Sequence, residues 1–416
     1  MTRRIVVLGA GTGGTLAANR LRRMLPGSVD ITVVDQDDVH VYQPGLLFVP
    51  FGLAHAEDLV RPRRRQLHDG IDFREVGIDR VDLDGDTVHL QDGVSLHYDV
   101  LVVATGATLL PEETPGMTGP AWNESVFTFY SLDGARALQK RLASFENGRL
   151  VVNVVDMPVK CPVAPLEFCF LADWFLREKG VRERVDITYV TPLDGAFTKP
   201  VASRALGGIL EQKGVEVVTE FNTGEVGDGR LIGYDGREVP FDLAVVVPLH
   251  GGAAYVGRSP GLGDELNFVP TDEHTLQSRA RPNVFALGDA ANVPISKAGS
   301  VTHFEGEVLS ENVRRFLAGE PLDAAYDGHA NCFVETGFHK ALLIDFNYDT
   351  EPLPGHFPAR MGLPLLKESH LNHLGKLMFQ WFYWHTLLPG RDIPGIGSAM
   401  PHGGKTLPAE PTEAVR

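Results

Sequence analysis

The fold is decided by an apolar run that leads directly into a glycine-rich turn, Ile5-Val6-Val7-Leu8-Gly9-Ala10-Gly11-Thr12-Gly13-Gly14. The apolar residues predict a buried strand, and the helix-like stretch Thr15–Leu25 follows the turn. A second strand-like run, Ile31–Asp35, ends in an acid. Strand, glycine turn, helix and acid in this order are the fingerprint of a domain that binds a dinucleotide. Gly9, Gly11 and Gly14 would let a pyrophosphate approach the helix N-terminus. Asp35 is expected to hold ribose hydroxyls.

The rest of the chain alternates strand-like and helix-like stretches. Strand-like runs lie at Val100–Thr105, Leu150–Val155, Asp186–Val190 and Val284–Leu287, and helix-like stretches include Asp133–Phe145 and Leu166–Lys179. Continuous apolar strands between helices predict parallel sheets that are buried on both faces. The pattern restarts near residue 150, so the sequence predicts an α/β protein with two Rossmann-like domains, followed by an amphipathic helical region.

The predicted division of the chain has three parts. Residues 1–149 and 271–330 form a discontinuous dinucleotide-binding domain, and residues 150–270 form the second Rossmann-like domain. Residues 331–416 form a C-terminal region that is richer in Pro, His and aromatic residues.

Composition excludes several classes of protein. The 38 basic and 54 acidic side chains give a net charge of −16, which argues against a nucleic-acid-binding protein. Three cysteines are too few for a secreted disulfide framework. We expect no signal peptide, because the N-terminus reads directly as a strand, and a cytoplasmic location. An apolar window of 18 residues is also missing, so membrane contact is expected to be peripheral.

Two further motifs favour flavin in the first domain. Ala104-Thr105-Gly106 ends an apolar strand, and Gly288-Asp289 ends another. With these motifs the chain resembles flavoproteins of the pyridine nucleotide-disulfide oxidoreductase superfamily, which are glutathione-reductase-like in fold. The resemblance implies that Gly288-Asp289 holds the ribityl chain of FAD; the alternative for Asp289 is a helix N-cap. No metal site is predicted.

The loop of the second domain is unsuited to a pyridine nucleotide. It reads Asp156-Met157-Pro158-Val159-Lys160-Cys161-Pro162-Val163-Ala164-Pro165-Leu166-Glu167, without the glycines that a pyrophosphate needs. Three prolines remove N–H donors and stiffen the backbone. NAD(P)H binding is therefore disfavoured, and electrons are expected to enter by way of Cys161.

The loop sharpens the resemblance to sulfide:quinone oxidoreductases and related flavocytochrome c sulfide dehydrogenase flavoproteins. The residues that carry it are Tyr42-Gln43-Pro44-Gly45, Val49-Pro50-Phe51-Gly52, Lys160-Cys161-Pro162 through Glu167, Ser296-Lys297-Ala298-Gly299, Cys332, and Leu374-Gly375-Lys376 through Arg391. The resemblance implies that Cys161 and Cys332 form a redox pair on one side of the isoalloxazine, with a quinone pocket on the other.

The residues themselves suggest how the pair would work. Cys161 is expected at a helix start, where the dipole and Lys160 would lower its pKa toward the thiolate. Glu167, about two turns into that helix, is a candidate proton shuttle. Two unrelated buried cysteines are the alternative reading of the pair. Cys169 lies in an apolar helical run and is interpreted as a structural thiol, with a third redox role as the alternative.

Two expectations concern the flavin. The resemblance places a flavin-linking cysteine near Tyr42 in flavocytochrome c relatives, and none is present, so FAD is expected to be noncovalent. Lys297 is expected near the N1–C2=O edge of the flavin, where a cation stabilises the reduced, anionic ring; a solvated loop lysine is the alternative.

The C-terminal segment predicts an amphipathic helix over Leu371–Leu388. Five aromatics crowd into six of its residues, namely Phe379, Trp381, Phe382, Tyr383 and Trp384. Because Trp and Tyr favour the headgroup boundary, we assign these five to docking on a bilayer surface and to the quinone wall. Packing onto the flavin domain, or a dimer interface, would explain the same apolar helix face. The basic run Arg61–Arg65 is interpreted as a solvated face, with contact to lipid headgroups as the alternative.

The sequence therefore predicts an FAD-dependent oxidoreductase that oxidises sulfide at Cys161 and Cys332 and reduces a membrane quinone. The first alternative is a type 2 NADH:quinone oxidoreductase, which needs a glycine-rich second loop. The second alternative is a non-catalytic flavin-binding interaction protein.

Overall fold

Two five-stranded parallel sheets form the framework of the protein. The computed structural model describes residues 3–393 and 395–406. The first sheet has the spatial order Val284–Ala286, Val100–Val103, Arg3–Leu8, Val29–Asp35 and Ile71–Glu75. The second has the order Val126–Phe127, Leu243–Val247, Gly148–Val154, Val185–Val190 and Val215–Val218. The predicted α/β class is confirmed.

Seven α-helices accompany these sheets. They are α1 (Thr12–Met24), α2 (Leu132–Ser144), α3 (Ala164–Glu178), α4 (Pro200–Gln212), α5 (Ala254–Gly257), α6 (Gly299–Ala318) and α7 (His370–Phe382), among the described residues. Capping residues in the local sequence determine where several of these helices begin or end. Ser131 and Ser369 cap α2 and α7 by accepting backbone N–H groups, and Gly319 ends α6 in the left-handed conformation.

Smaller antiparallel sheets flank the two main ones. Two have three strands: Ile78–Asp82, Thr87–Leu90 and Ser95–His97; and Thr223–Gly227, Arg230–Gly233 and Glu238–Pro240. The antiparallel pairs are Val39–Val41 with Val60–Pro62, Thr108–Leu110 with Leu249–Gly251, Ala330–Gly337 with Lys340–Phe346, and Gly355–Phe357 with Leu363–Leu365. One further short pair, Val269–Pro270 with Ala291–Asn292, is parallel. The hairpin of Ala330–Gly337 and Lys340–Phe346 packs against α3 and α7.

The strands of both main sheets are buried because helices cover one face and a three-stranded antiparallel sheet packs on the other. Ile5, Val7 and Leu8 are almost inaccessible to solvent, as are Val151 and Val152 in the second sheet. This burial is the reason that the strands read as continuous apolar runs instead of alternating ones.

The predicted domain boundaries remain a prediction, to which the sheets add one detail. Val126–Phe127 pairs in parallel with Leu243–Val247 in the second sheet, although the predicted division leaves residues 126–127 in the first domain. The last ten residues of the predicted C-terminal region, 407–416, lie outside the described residues.

The C-terminal α-helix is shorter than the predicted amphipathic helix over Leu371–Leu388. Helix α7 ends at Phe382, and Tyr383–Leu387 continue as a π-helical turn. Tyr383 and Trp384 are buried, whereas Trp381 is 59% exposed. Among the described residues, no helix has both the length and the apolar character needed to cross a membrane.

Candidate active site

One cavity of about 740 Å³ lies where the C-terminal ends of the strands in both sheets meet the hairpin and α7. Most of the predicted site residues line it: Gly9, Gly11, Asp35, Ala104, Thr105, Gly106, Cys161, Glu167, Gly288, Asp289, Lys297, Cys332, Phe379 and Tyr383. Gly14, Trp381, Phe382 and Trp384 do not line it. The fold thus brings residues from all three predicted parts of the chain to one site.

Steric contacts require glycine at two positions of the glycine-rich turn, Gly9 and Gly14. Gly9 has a φ of +94°, and a Cβ there would lie 2.5 Å from the carbonyl oxygen of Ala104. A Cβ on Gly14 would lie 1.8 Å from the carbonyl oxygen of Gly9, so Gly14 allows α1 to pack close to the turn. Gly14 is thus a packing residue and not a lining residue of the cavity.

Asp35 closes the same end of the cavity. Its carboxylate accepts the N–H of Ala10 at 2.6 Å and lies 3.1 Å from the guanidinium of Arg63. Burial raises the pKa of Asp35, and the charge of Arg63 opposes that rise. The interpretation of the run Arg61–Arg65 as a solvated face is therefore wrong for Arg63, which is largely buried and paired.

Lys297 also lines the cavity, beside Gly288-Asp289. Its ammonium donates to the carbonyl oxygens of Asp289 and Ala291, both at 2.9 Å, and lies 4.3 Å from the ring centre of Phe268. Burial lowers the pKa of Lys297 and raises that of Asp289, and each charge opposes the shift of the other. The solvated-loop alternative for Lys297 does not describe this buried side chain.

Glu305 is a buried acid that the sequence analysis missed. Its Oε2 accepts the N–H of Gly288 at 2.5 Å, and burial raises its pKa to about 8. It sits within the apolar pattern of α6, where a lone acid on a buried face is the only sequence signal.

Cys161 is placed differently from the prediction. It has a φ of +47°, its N–H donates to the carbonyl oxygen of Lys297 at 2.6 Å, and its carbonyl oxygen accepts the hydroxyl of Tyr130. Helix α3 begins at Ala164, three residues later. The expected lowering of the thiol pKa is wrong: burial raises the pKa of Cys161, the charges of Glu167 and Cys332 raise it further, and Lys376 opposes them.

Cys332 reaches the cavity from the strand Ala330–Gly337. Burial, with the charge of Glu167, raises the pKa of Cys332 to about 12. Cys161 and Cys332 are free thiols in this structure. Cys169 is also a free thiol, fully buried in α3, and does not line the cavity.

Glu167 occupies the first turn of α3, not the second as predicted, and is only 2% exposed. Its Oε1 accepts the N–H of Glu335 at 2.6 Å and the ammonium of Lys376. Burial raises the pKa of Glu167, and Lys376 opposes the rise. The sequence analysis names Lys376 only within the motif Leu374-Gly375-Lys376, and its pairing with Glu167 follows from the fold.

The five aromatics at the C-terminus separate into different roles. Tyr383 O–H donates to Nε2 of His40 and accepts from the hydroxyl of Thr12, both at 2.7 Å. Burial lowers the pKa of His40 to about 4, and the ring is therefore neutral at pH 7. Trp384 is buried beneath the guanidinium of Arg61 at 4.2 Å. The assignment of Tyr383 and Trp384 to the bilayer face is therefore wrong, because both pack onto the first domain.

The site residues fit a dinucleotide. Gly11, Gly106 and Gly299 line the cavity, and a Cβ on any of them would meet no protein atom within 4 Å. Such glycines leave backbone open to a close ligand, as a pyrophosphate at the N-terminus of α1 requires. The residues that would hold FAD are the glycine turn, Asp35, the 104–106 turn and Gly288-Asp289.

Comparisons with known proteins agree with this geometry. Residues 3–154 match the family described as pyridine nucleotide-disulphide oxidoreductase. The chain is 28% identical over 397 residues to the mitochondrial sulfide:quinone oxidoreductase of Dictyostelium discoideum. The aligned region covers 93% of this chain and 86% of that protein. The mouse mitochondrial sulfide:quinone oxidoreductase is 26% identical with the same two coverages.

A solved structure shows the same fold. The sulfide:quinone oxidoreductase from Aquifex aeolicus superposes with a TM-score of 0.80 at 21% identity, covering 94% of this chain and 93% of that chain. The resemblance that the sequence predicts is confirmed by these similarities.

The Glu167–Lys376 pair gives a prediction about stability. Lys376→Met leaves a buried carboxylate without its cation, and should lower the free energy of unfolding by about 3–5 kcal/mol. Adding Glu167→Gln removes that uncompensated charge and should restore most of the loss. The measurement is urea unfolding of the flavin-loaded protein. Lys367→Met, at an exposed position, is the control and should change stability by less than about 0.5 kcal/mol. A Lys376→Met variant as stable as the parent would contradict the pairing.

Proposed function

We propose that this protein, as a sulfide:quinone oxidoreductase, oxidises sulfide and passes two electrons through FAD to a quinone. The observation that carries the proposal is the meeting of Cys161 and Cys332, which are far apart in sequence, in one cavity that fits a dinucleotide. FAD, when bound, supplies a two-electron acceptor between the thiols and the quinone. We also propose that FAD is held without a covalent bond.

The cysteine pair is the proposed site of sulfide oxidation. In the oxidised pair, HS⁻ attacks one sulfur, and the products are a persulfide on one cysteine and a thiolate on the other. Burial disfavours that thiolate, whereas the nearby ammonium of Lys376 favours it. Lys376 therefore stabilises the charge that forms when the S–S bond breaks.

Glu167 is proposed to hold or release a proton beside both thiols. Its charge raises the pKa of Cys161 and of Cys332, so protonation of Glu167 favours either thiolate. Its single oxygen Oε1 is bound by both the Glu335 N–H and Lys376. This fixed geometry keeps the carboxylate close to the reacting sulfurs.

The NADH alternative lacks support at the second loop. Val159 and Val163 are buried, and the Cys161 N–H is already bound to the Lys297 carbonyl oxygen. A pyrophosphate at this position would need glycines and free N–H groups. The arrangement favours sulfide over NADH as the reductant.

Helix α7 is proposed to join the quinone site to a bilayer surface. Phe379 lines the cavity and is the proposed quinone wall. The opposite face exposes Leu371, Leu374, Leu377, Met378 and Trp381, each more than half exposed. Phe382 packs edge-on against Trp381. Large apolar side chains grouped on one helix face are typical of peripheral docking on lipid.

Sulfide and NADH should act differently on the flavin. Anaerobic titration of the purified protein with stoichiometric sulfide should bleach the flavin absorbance, because the electrons enter at the cysteines. An equal amount of NADH should leave it unchanged. Fast bleaching by NADH would contradict the proposal and favour the NADH:quinone alternative. Sulfide bleaching followed by only slow reoxidation with every quinone tested would support the non-catalytic alternative.

Cys332 should be essential for sulfide oxidation. Cys332→Ser leaves Cys161 without a partner, and the rate of flavin reduction by sulfide should fall by at least about 100-fold in stopped-flow measurements. Cys169→Ala is the matched control, because Cys169 does not line the cavity, and its rate should stay within about twofold. Flavin content is checked first in both. Parent-like reduction by the Cys332→Ser variant would overturn the assignment.

The exposed face of α7 should control membrane binding. Replacing Leu374 and Trp381 together by Ser removes two large apolar contacts, and should weaken co-sedimentation with phosphatidylcholine vesicles by about 10–100-fold. Met361→Ser, at a fully exposed apolar residue outside this face, is the control. These point changes are preferable to removal of the tail, which would also remove Lys376 and Tyr383. Unchanged vesicle binding would contradict the docking proposal.

A further inference from the structure

A buried acid and a histidine lie behind the Glu167–Lys376 pair, on the side away from the cavity. Both carboxylate oxygens of Glu335 accept from Nδ1–H of His373, at 2.9 and 3.0 Å. Glu335 is 2% exposed, and the side chain of His373 retains 16% of its accessibility. The exposed ring of His339 lies 5.5 Å from that of His373, centre to centre. The groups therefore run from the interior to solvent.

The same groups reach inward to the cavity. The N–H of Glu335 donates to Glu167 Oε1 at 2.6 Å, and Lys376 follows His373 by one turn of α7. Glu335 also acts electrostatically on both partners, since its charge raises the pKa of Glu167 and of Lys376. Three elements, α3, the hairpin and α7, thus place charged and titratable groups close together in otherwise apolar packing, and the backbone N–H of Glu335 ties the two pairs to each other.

The reaction needs a source of protons at this buried site. Oxidation of HS⁻ to sulfane sulfur releases two electrons and one proton. Reduction of a quinone to the quinol takes up two electrons and two protons. The balanced reaction is HS⁻ + quinone + H⁺ → sulfane sulfur + quinol, so each turnover takes one proton from solvent.

We propose that Glu335 and His373 carry this proton from solvent to the Glu167–Lys376 pair at the cavity. The inference rests on the proposed function. His373 receives the proton at the surface beside His339, and Glu335 accepts it from Nδ1. The carboxyl of Glu335, held beside Glu167 by its own backbone N–H, then releases the proton toward the cavity pair. Glu335 and His373 act through Glu167 and Lys376 and touch neither substrate.

If the Glu335–His373 pair had a purely structural role, it would only hold α7 on the hairpin. Rescue of activity by a diffusible base distinguishes proton transfer from that structural role. In the His373→Ala variant, anaerobic stopped flow should show reduction by sulfide near the parent rate. Reoxidation by decylubiquinone should be slowed by about 10–100-fold. Added imidazole should restore reoxidation, because it fills the space that Ala leaves and carries the proton. The matched control is His370→Ala on the same helix, where the ring is exposed and hydrogen-bonds only a backbone carbonyl.

A second variant and a measurement without turnover keep the test decisive. Glu335→Gln retains a hydrogen-bond partner for His373 but cannot carry the proton, and should slow reoxidation to a similar extent. In ¹⁵N-histidine-labelled resting protein, the downfield Nδ1–H resonance of His373 should be present in the parent, shifted in Glu335→Gln and absent in His373→Ala.

The outcomes distinguish this inference from the proposed function. Parent-like reoxidation in folded, flavin-loaded variants overturns the proton path, as does slow reoxidation that imidazole leaves unchanged in His373→Ala. If His373→Ala fails to bind flavin, the reoxidation rate of Glu335→Gln decides. Failure of the parent protein to couple sulfide to quinone overturns the proposed function instead.

Discussion

The buried ion pair of Glu167 and Lys376 is the interaction on which the site depends. Charges in a protein interior persist only when they are paired and hydrogen-bonded, so Glu167 requires both the ammonium of Lys376 and the N–H of Glu335. These three residues come from α3, the C-terminal hairpin and α7. One carboxylate oxygen therefore fixes three segments that are distant in sequence, and with them the walls of the cavity that both cysteines reach.

Opposing electrostatic effects act on the pKa values of the two thiols at this junction. Burial and the charge of Glu167 keep both thiols protonated, and Lys376 works in the opposite direction. A thiolate is consequently unfavourable until the charge at Glu167 changes. Protonation of Glu167 would remove the charge that raises the pKa of both thiols at once.

The C-terminal segment links this junction to the dinucleotide end of the cavity. Tyr383 bridges Thr12, at the start of α1, and the neutral ring of His40, while Lys376 in the preceding helix holds Glu167. The same helix presents its outer apolar face to the surroundings. Helix α7 and the π-helical turn that follows it thus contact both ends of the cavity, and α7 also carries the exposed apolar face.

Features that depend on local backbone geometry or on an apolar period can be predicted from the sequence. The glycine turn at Gly9–Gly14, the strand ending at Asp35, the α/β class and the absence of a second glycine loop all follow from short, contiguous stretches. Glycine is required at Gly9 by a positive φ and a close contact, and such steric demands are readable from local sequence. The resemblance carried by the quoted motifs supplied Cys332 as the partner of Cys161.

The environment of each site residue depends on contacts between distant segments, so it follows from the folded structure alone. The pKa of Cys161 was predicted to fall from its neighbour Lys160 and a helix start, yet burial and Glu167 dominate because they act through space. Lys376, Glu335 and His373 were missed because a lone polar residue in an apolar pattern reveals its partner only after the chain folds. Tyr383 and Trp384 shared one stripe with Trp381 in sequence, but the helix ends between them and turns two of the three rings into the core. Periodicity gives the spacing of side chains along an element, and packing alone gives the neighbour that each one meets.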